Sequence, residues 1–283
     1  MKKIGILIDS SSGITEAEIK DTNIELIPLT IVMNGTTEFD DTKENAKKHD
    51  LLKVIDGNGK VTTSLASQGK LENKYSEMLK EYEHIFHIAI SEKLSSMKKI
   101  AFIVSKDKQF DGRITLVDET VEASTMKYLA LALNEKIQAG LEKHDDVINF
   151  IKDYNSKTLI MFIPGDIKRL AKSGRGTGIL ASFLSALNTK VLIAWGAQPK
   201  RVGMTRKMDA AIQKAIIYAK DKKMSMDNVI YVKSKALKPM FDKLTKERLI
   251  KEKINYVEEE LPSVFACHAG VNSLALMFLP KSN

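Results

Sequence analysis

Apolar positions in this chain follow two spacings, short uninterrupted runs and stretches where they recur every third or fourth residue. KKIGILID at 2–9 is a β-branched run that stops at a polar turn, which predicts a buried strand of parallel type. SSSGITEAEIKDTN follows with cap-type residues and a helical pattern, Ser12 or Thr15 being the N-cap. IELIPLTIVM at 24–33 reads as a second strand with an edge or bulge at Pro28, and NGTTEFDD as a turn or short hairpin. Residues 43–55 are helical in pattern, and GKLENKYSEMLKEY predicts a strong helix after the hydroxyl-rich VTTSLAS at 61–67. HIFHIAIS and RITLVDE read as strands, LSSMKKIAFIVSKD and 121–140 as helices, with Met126, Leu129, Leu133 and Ile137 on one face. A helix over DDVINFIKDYNS closes the first half.

The second half restarts the rhythm with KTLIMFIP, a Gly-rich loop, TKVLIAWGAQPKRVG, a helix over 206–223, NVIYVKS, another helix and INYVEEE. It ends on SVFACHAGVNSLALMFLP. Strands alternating with helices predict an α/β fold, with a largely parallel sheet in the first lobe. The expected lobes are residues 1–157 and 158–283.

Composition narrows the function classes. The 44 basic and 36 acidic residues leave a formal charge of +8, but the signs are interspersed and aromatics are few. That pattern is a solvated surface, not a nucleic-acid face. The single Cys267 cannot form an internal disulfide. IGILI is too short for a signal sequence before Asp9 breaks it, and no apolar stretch nears the roughly 20 residues that span a bilayer. A cytoplasmic protein is expected.

Four polar clusters fall at predicted strand ends: IDSSSG at 8–13, TTSLAS at 62–67, AISEKLSS at 89–96 and CHAGVNS at 267–273. Ligands of open α/β sheets sit outside the carboxyl ends of strands, so these hydroxyls could converge on one. Each is equally at home as a cap or in a turn. VTTSLAS carries four hydroxyls where a helix start needs one. No G-x-S-x-G elbow occurs, although His268 remains available as the base of a hydrolase. KSGRGTG at 172–178 could cradle an anion with backbone N–H groups and the Arg175 fork, though its spacing is neither Rossmann nor Walker. His84 and His87 fall on opposite faces of one strand, and no metal-ligand spacing occurs.

Taken in order, the clusters resemble the DegV family of fatty-acid-binding proteins, the lipid-presenting subunits of bacterial fatty acid kinase systems. Asp9, Ser10 and Ser11 match the family's D-S-[ST], and IPLTIVMNGTTEFDD its next strand and turn. Thr63, Ser64 and Ser67 match its T-S-Q-P-S, and ISEKLSSM its I-S-S-x-L-S-G-T. RLAKSGRGTG, VGMTRKMDAAI and CHAGVNSLAL are similar to the three motifs of its second half. The pattern departs at Leu65, Ala66, Glu92, Ser96, Met97, Ser273 and Ala275.

The resemblance implies a two-lobed fold with one long-chain fatty acid in an apolar tunnel. Its carboxylate would be held by Thr63, with Thr62, by Ser91 or Ser95, and by His268. Ser10, Ser11, Arg175 and Arg206 would contact ligand or partner, Arg206 on the surface that docks the kinase. No catalysis, cofactor or metal of its own is implied, and at most transient membrane contact. The acyl phosphate made by the kinase would enter phospholipid metabolism.

Overall fold

The computed structural model describes residues 2–118, 123–174, 189–195 and 199–281. The first half begins with β1 (Lys2–Asp9), a 3₁₀ turn (Ser10–Ser12), α1 (Glu16–Ile19), β2 (Ile24–Ile27), β3 (Thr30–Met33) and β4 (Thr37–Asp40). It continues with α2 (Lys43–Lys48), α3 (Leu51–Asp56), β5 (Val61–Ser64), α4 (Gln68–Met78) and β6 (Tyr82–Ile88). Then come α5 (Met97–Ser105), β7 (Ile114–Leu116), α6 (Ser124–Gln138) and α7 (His144–Ser156). The second half holds β8 (Leu159–Ile163), α8 (Ile167–Lys172), β9 (Lys190–Trp195), β10 (Lys200–Thr205) and α9 (Met208–Asp221). It closes with β11 (Val229–Lys233), α10 (Pro239–Lys251), β12 (Tyr256–Glu260), α11 (Ser263–Ala269) and β13 (Leu274–Phe278).

These strands form three sheets. β2-β1-β6-β7 is parallel throughout, as strand–helix alternation requires. β4-β3-β5 is a small antiparallel sheet, and β10-β9-β8-β13-β11-β12 is mixed, only β11 and β12 being parallel. The fold is thus α/β.

Two elements differ from the sequence expectation. The strand expected over 24–33 divides at Pro28 into β2 and β3, which belong to different sheets. Proline has no N–H to give a ladder, so the chain leaves one sheet there and enters the next. The helix expected over 43–55 is two, α2 and α3, because Asp50 takes a left-handed conformation at φ 47°.

The six-stranded sheet draws every strand from 159–278, and the other two sheets draw theirs from 2–116. The core does not divide in the same way. Strand alternation turns Leu159, Met161, Ile163, Leu274, Leu276 and Phe278 toward α9 and α10, which bury Ile212, Ile216 and Leu249 against them. The opposite set, Ile160, Ile193, Trp195, Ile230, Ala275 and Met277, joins one continuous core with Ile6, Ile8, Ile31 and Phe86 of the first half. Lys127 of α6, its side chain only 3 % exposed, ties the halves further through Glu18 at 2.8 Å and Glu259 at 2.5 Å.

Candidate functional site

A cavity opens where the six-stranded sheet faces the first half, with about 950 Å³ of empty space including its mouth. Its floor is the inner face of β8, β9 and β13, carrying Ile160, Phe162, Ile193, Trp195, Ala275 and Met277. Leu29, Ile90 and Leu94 wall it from the first half, and Val264 and Phe265 of α11 from the second. Four more polar residues line it: Thr63, Ser64, Ser95 and His268. Three of these are half-buried and Ser64 is exposed, whereas most floor residues are fully buried, so the polar end is the mouth.

The central contact joins residues 205 positions apart: Thr63 Oγ1 lies 2.6 Å from His268 Nε2. Period-two alternation along β5 turns Val61 and Thr63 inward and leaves Thr62 exposed on the other face. Thr62 therefore does not line the cavity, and the two threonines cannot act together there. His268 comes from the last turn of α11.

Arg169 sets the two sides against each other. Its guanidinium donates to Cys267 O at 3.3 Å, beside His268, and to Ile55 O at 3.1 Å and Gly59 O at 3.3 Å, just ahead of β5. Behind α11, Asp166 N–H donates to Ala269 O at 2.7 Å. Gly165 is needed in that crossing, because a Cβ there would come within 2.5 Å of the Asn272 backbone.

Of the two candidate serines, Ser95 lines the cavity and Ser91 does not. Ser91 is buried, and its Oγ accepts from Lys93 N–H at 3.1 Å within the turn. Ser10 and Ser11 are also buried and lie outside the lining. Ser10 Oγ donates to Asp41 Oδ2 at 2.7 Å and accepts from Leu29 N–H at 3.0 Å. Asp9 Oδ2 accepts from Ile90 N–H at 2.7 Å. Since Leu29 and Ile90 are wall residues, Asp9 and Ser10 hold the wall from behind.

Burial raises the Asp9 carboxyl. It also pushes Asp41 up to about 7, with Asp9's charge adding and the Ser10 hydrogen bond opposing. The Cys267 thiol is pushed up by burial, with Asp41's charge adding, so it is an inert core group.

Arg206 is exposed in the turn between β10 and α9, away from the cavity lining. Arg175 lies outside the described residues. His84 and His87 point to opposite faces of β6: His84 meets Thr115 and His87 meets the Tyr75 hydroxyl. Among the described residues no group of three or more His, Cys, Asp or Glu could hold a metal. Among them, too, no helix is long and apolar enough to cross a membrane.

A family model, DegV ("uncharacterised protein, DegV family"), matches residues 3–281. The chain belongs to the DegV family. A DegV domain-containing protein of Listeria innocua is 24% identical over 280 residues, covering 98% of this chain and 99% of its own. Among solved structures, a DegV family protein of Thermus thermophilus described for fatty acid binding superposes with a TM-score of 0.85 at 18% identity. That match covers 98% of this chain and 100% of the other. DegV of Bacillus subtilis, a fatty acid binding protein, gives 0.80 at 19% identity over 99% and 100%. At such identities the likeness establishes the DegV fold.

Arg169 and Trp195 are the site residues that motif reading passed over. Arg169 opens the same RLAKSGRGTG segment from which Arg175 was singled out, whereas Asp9 is matched in the D-S-S run but given no role there. Trp195 carries no motif signal and is placed by strand register alone.

Proposed function

We propose that the protein binds one long-chain fatty acid, tail on the apolar floor and carboxylate at the mouth against Thr63, His268 and Ser95. The observation that carries this reading is the cavity's division into a buried apolar floor and a half-buried polar mouth built on the Thr63–His268 contact. Unmatched burial of a charge is costly, so a carboxylate belongs where neutral donors replace lost water. Each hydrogen bond to it is worth roughly 1.5–3 kcal/mol. Ten buried methylenes, at about 0.8 kcal/mol each, would give on the order of 8 kcal/mol before ordering costs. The fatty-acid-binding DegV proteins of Thermus thermophilus and Bacillus subtilis support the same ligand class.

The protein would then present the carboxyl group to a separate ATP-dependent fatty acid kinase in the cytoplasm. A carboxylate at the mouth, not at the closed end, is what such a transfer needs. Native mass spectrometry of the purified protein with organic extraction tests the binding step. A co-purifying adduct that extracts as a fatty acid is expected. An apo mass unchanged after incubation with octadecanoic and octadecenoic acids would overturn the reading.

The Thr63–His268 contact also suits a hydrolase, with Thr63 as nucleophile and His268 as base. Release of product from acyl esters without any partner would favour that alternative.

A further inference from the structure

The edge of a sheet offers unpaired backbone groups, and proteins blunt such edges with charge or cover them. Here β2 carries Glu25, β4 carries Glu38 and Asp40, β10 carries Lys200 and Arg201, and β12 carries Glu258, Glu259 and Glu260. β5 packs against α11. β7, the far edge of the parallel sheet, is Ile114, Thr115 and Leu116 and has no charge at all.

The ladder of β7 runs inward. Arg113 O accepts from Ile85 N–H at 2.9 Å, and Val117 N–H donates to His87 O at 3.0 Å. Backbone groups alternate in direction along a strand, so the N–H and C=O of Ile114 and Leu116 point away from β6. Among the described residues nothing hydrogen-bonds to them.

The same two residues, both half-buried, line a groove with α5, about 960 Å³ counting its open side. On the helix wall Phe102 is 56 % and Ile103 60 % exposed. Lysines mark the groove's ends. Lys98 near the start of α5 bonds Asp118, just past β7, at 3.2 Å, so the helix runs back along the strand. Lys98 and Lys99 therefore stand at one end and Lys106 at the other. Lys99 and Lys106 have no carboxylate within salt-bridge distance among the described residues.

We propose that this groove binds an extended segment of a partner protein, paired edge to edge with β7. Every second residue of the segment is apolar and faces Phe102 and Ile103, and acidic residues flank the apolar ones. Such a strand satisfies the free backbone groups, the apolar wall and the lysines together. A bilayer would leave the edge groups unpaired. A second copy, paired antiparallel about a two-fold at Thr115, would bring Lys99 of one chain toward Lys106 of the other. None of the groove residues lines the lipid cavity, so the proposal stands apart from the fatty-acid reading.

The test selects phage-displayed random nonapeptides on the full-length protein. Recovered peptides are measured by fluorescence anisotropy on wild type, on Phe102→Ser with Ile103→Ser, and on Lys99→Glu with Lys106→Glu. All four side chains are exposed, and thermal unfolding checks each fold. Alternating apolar residues between acids are expected. Binding should weaken at least about tenfold on the serine variant and about fivefold on the glutamate variant. N-methylating alternate peptide residues should abolish binding in one parity and spare it in the other, because a strand bonds its neighbour through every second residue. A selection without binders, equal affinity for the serine variant, or N-methylation that acts alike in both parities overturns the proposal. So does dimerisation of wild type, or its binding to phosphatidylglycerol vesicles, that the serine variant loses, since either gives the groove another occupant.

Discussion

Replacing Asp41 by Asn removes a carboxyl that the fold holds at the wrong pH for a carboxylate. Asp41 is buried and accepts one hydrogen bond, from Ser10 Oγ, while Asp9 places like charge nearby. Its folded pKa of about 7 stands above the ordinary 3.8. The folded state therefore binds a proton more tightly than the unfolded chain does. The stability this contributes is fully present below pH 3.8 and is lost as pH rises to about 7, after which the curve is flat. Some three units, at about 1.4 kcal/mol each, set an upper bound of about 4 kcal/mol. Between pH 4.5 and 8, about 3 kcal/mol of that should be visible. The amide introduced by Asp41→Asn can still accept from Ser10 and never ionises. Urea unfolding of the lipid-free proteins at pH 4.5, 6 and 8 keeps ligand linkage out of the comparison. Asp41→Asn is expected to gain steadily on wild type as pH rises. Stability curves that run parallel, or a variant that loses ground at pH 8, would show that Asp41 is ionised in the fold and that the burial argument fails. Asp9, raised in the same direction, remains in both proteins, and losing its like-charged neighbour eases its ionisation in the variant, which adds to the variant's relative gain as pH rises.

Three further outcomes follow, the second of them from the proposed presentation to a kinase. Thr63→Val keeps the β-branched shape of an inward position on β5 but removes its hydroxyl, and should weaken lipid retention by about 1–2 kcal/mol in a delipidation assay; unchanged retention would take Thr63 out of the carboxylate contact. Arg206→Ala should leave lipid binding intact and slow acyl phosphate formation with a cognate kinase, and equal turnover would remove Arg206 from the docking surface. Lys127→Met leaves Glu18 and Glu259 facing each other without their shared cation and should cost about 3 kcal/mol in chemical denaturation, the low end for a buried pair because Glu18 is partly solvated. A loss under about 1 kcal/mol would mean that the methionine's packing offsets the pair.

Local periodicity carried the strand–helix alternation, and with it the parallel β2-β1-β6-β7 sheet, because both follow from which neighbours along the chain are apolar. It could not carry the break at Pro28 between sheets. A proline inside an apolar run reads as a bulge until one knows that β3 has a partner in β5. The site divides in the same way. Hydroxyl motifs and His268 were visible as candidates, but their meeting depends on Arg169 and on the crossing at Gly165, contacts spanning about a hundred residues. The choice of Ser95 over Ser91, and of Thr63 over Thr62 for the cavity lining, came from which side of a turn or strand each faces. Trp195 had no signal in sequence, since only the β8–β9 register sets it beside Ile160.

The order of strands in the large sheet also bears on synthesis. β13 lies between β8 and β11, yet it leaves the ribosome after both. Until it emerges, β8 and β11 have no common neighbour and their inner faces stay open. The cavity floor, one side of which is Ala275 and Met277, is therefore complete only when β13 is free to pair with β8. A nascent chain halted before 274 would hold the mouth residues Thr63 and His268 over a floor that lacks one of its three strands. The apolar floor would thus be finished late in the life of the chain, and a product that ends before β13 would leave it open along one side.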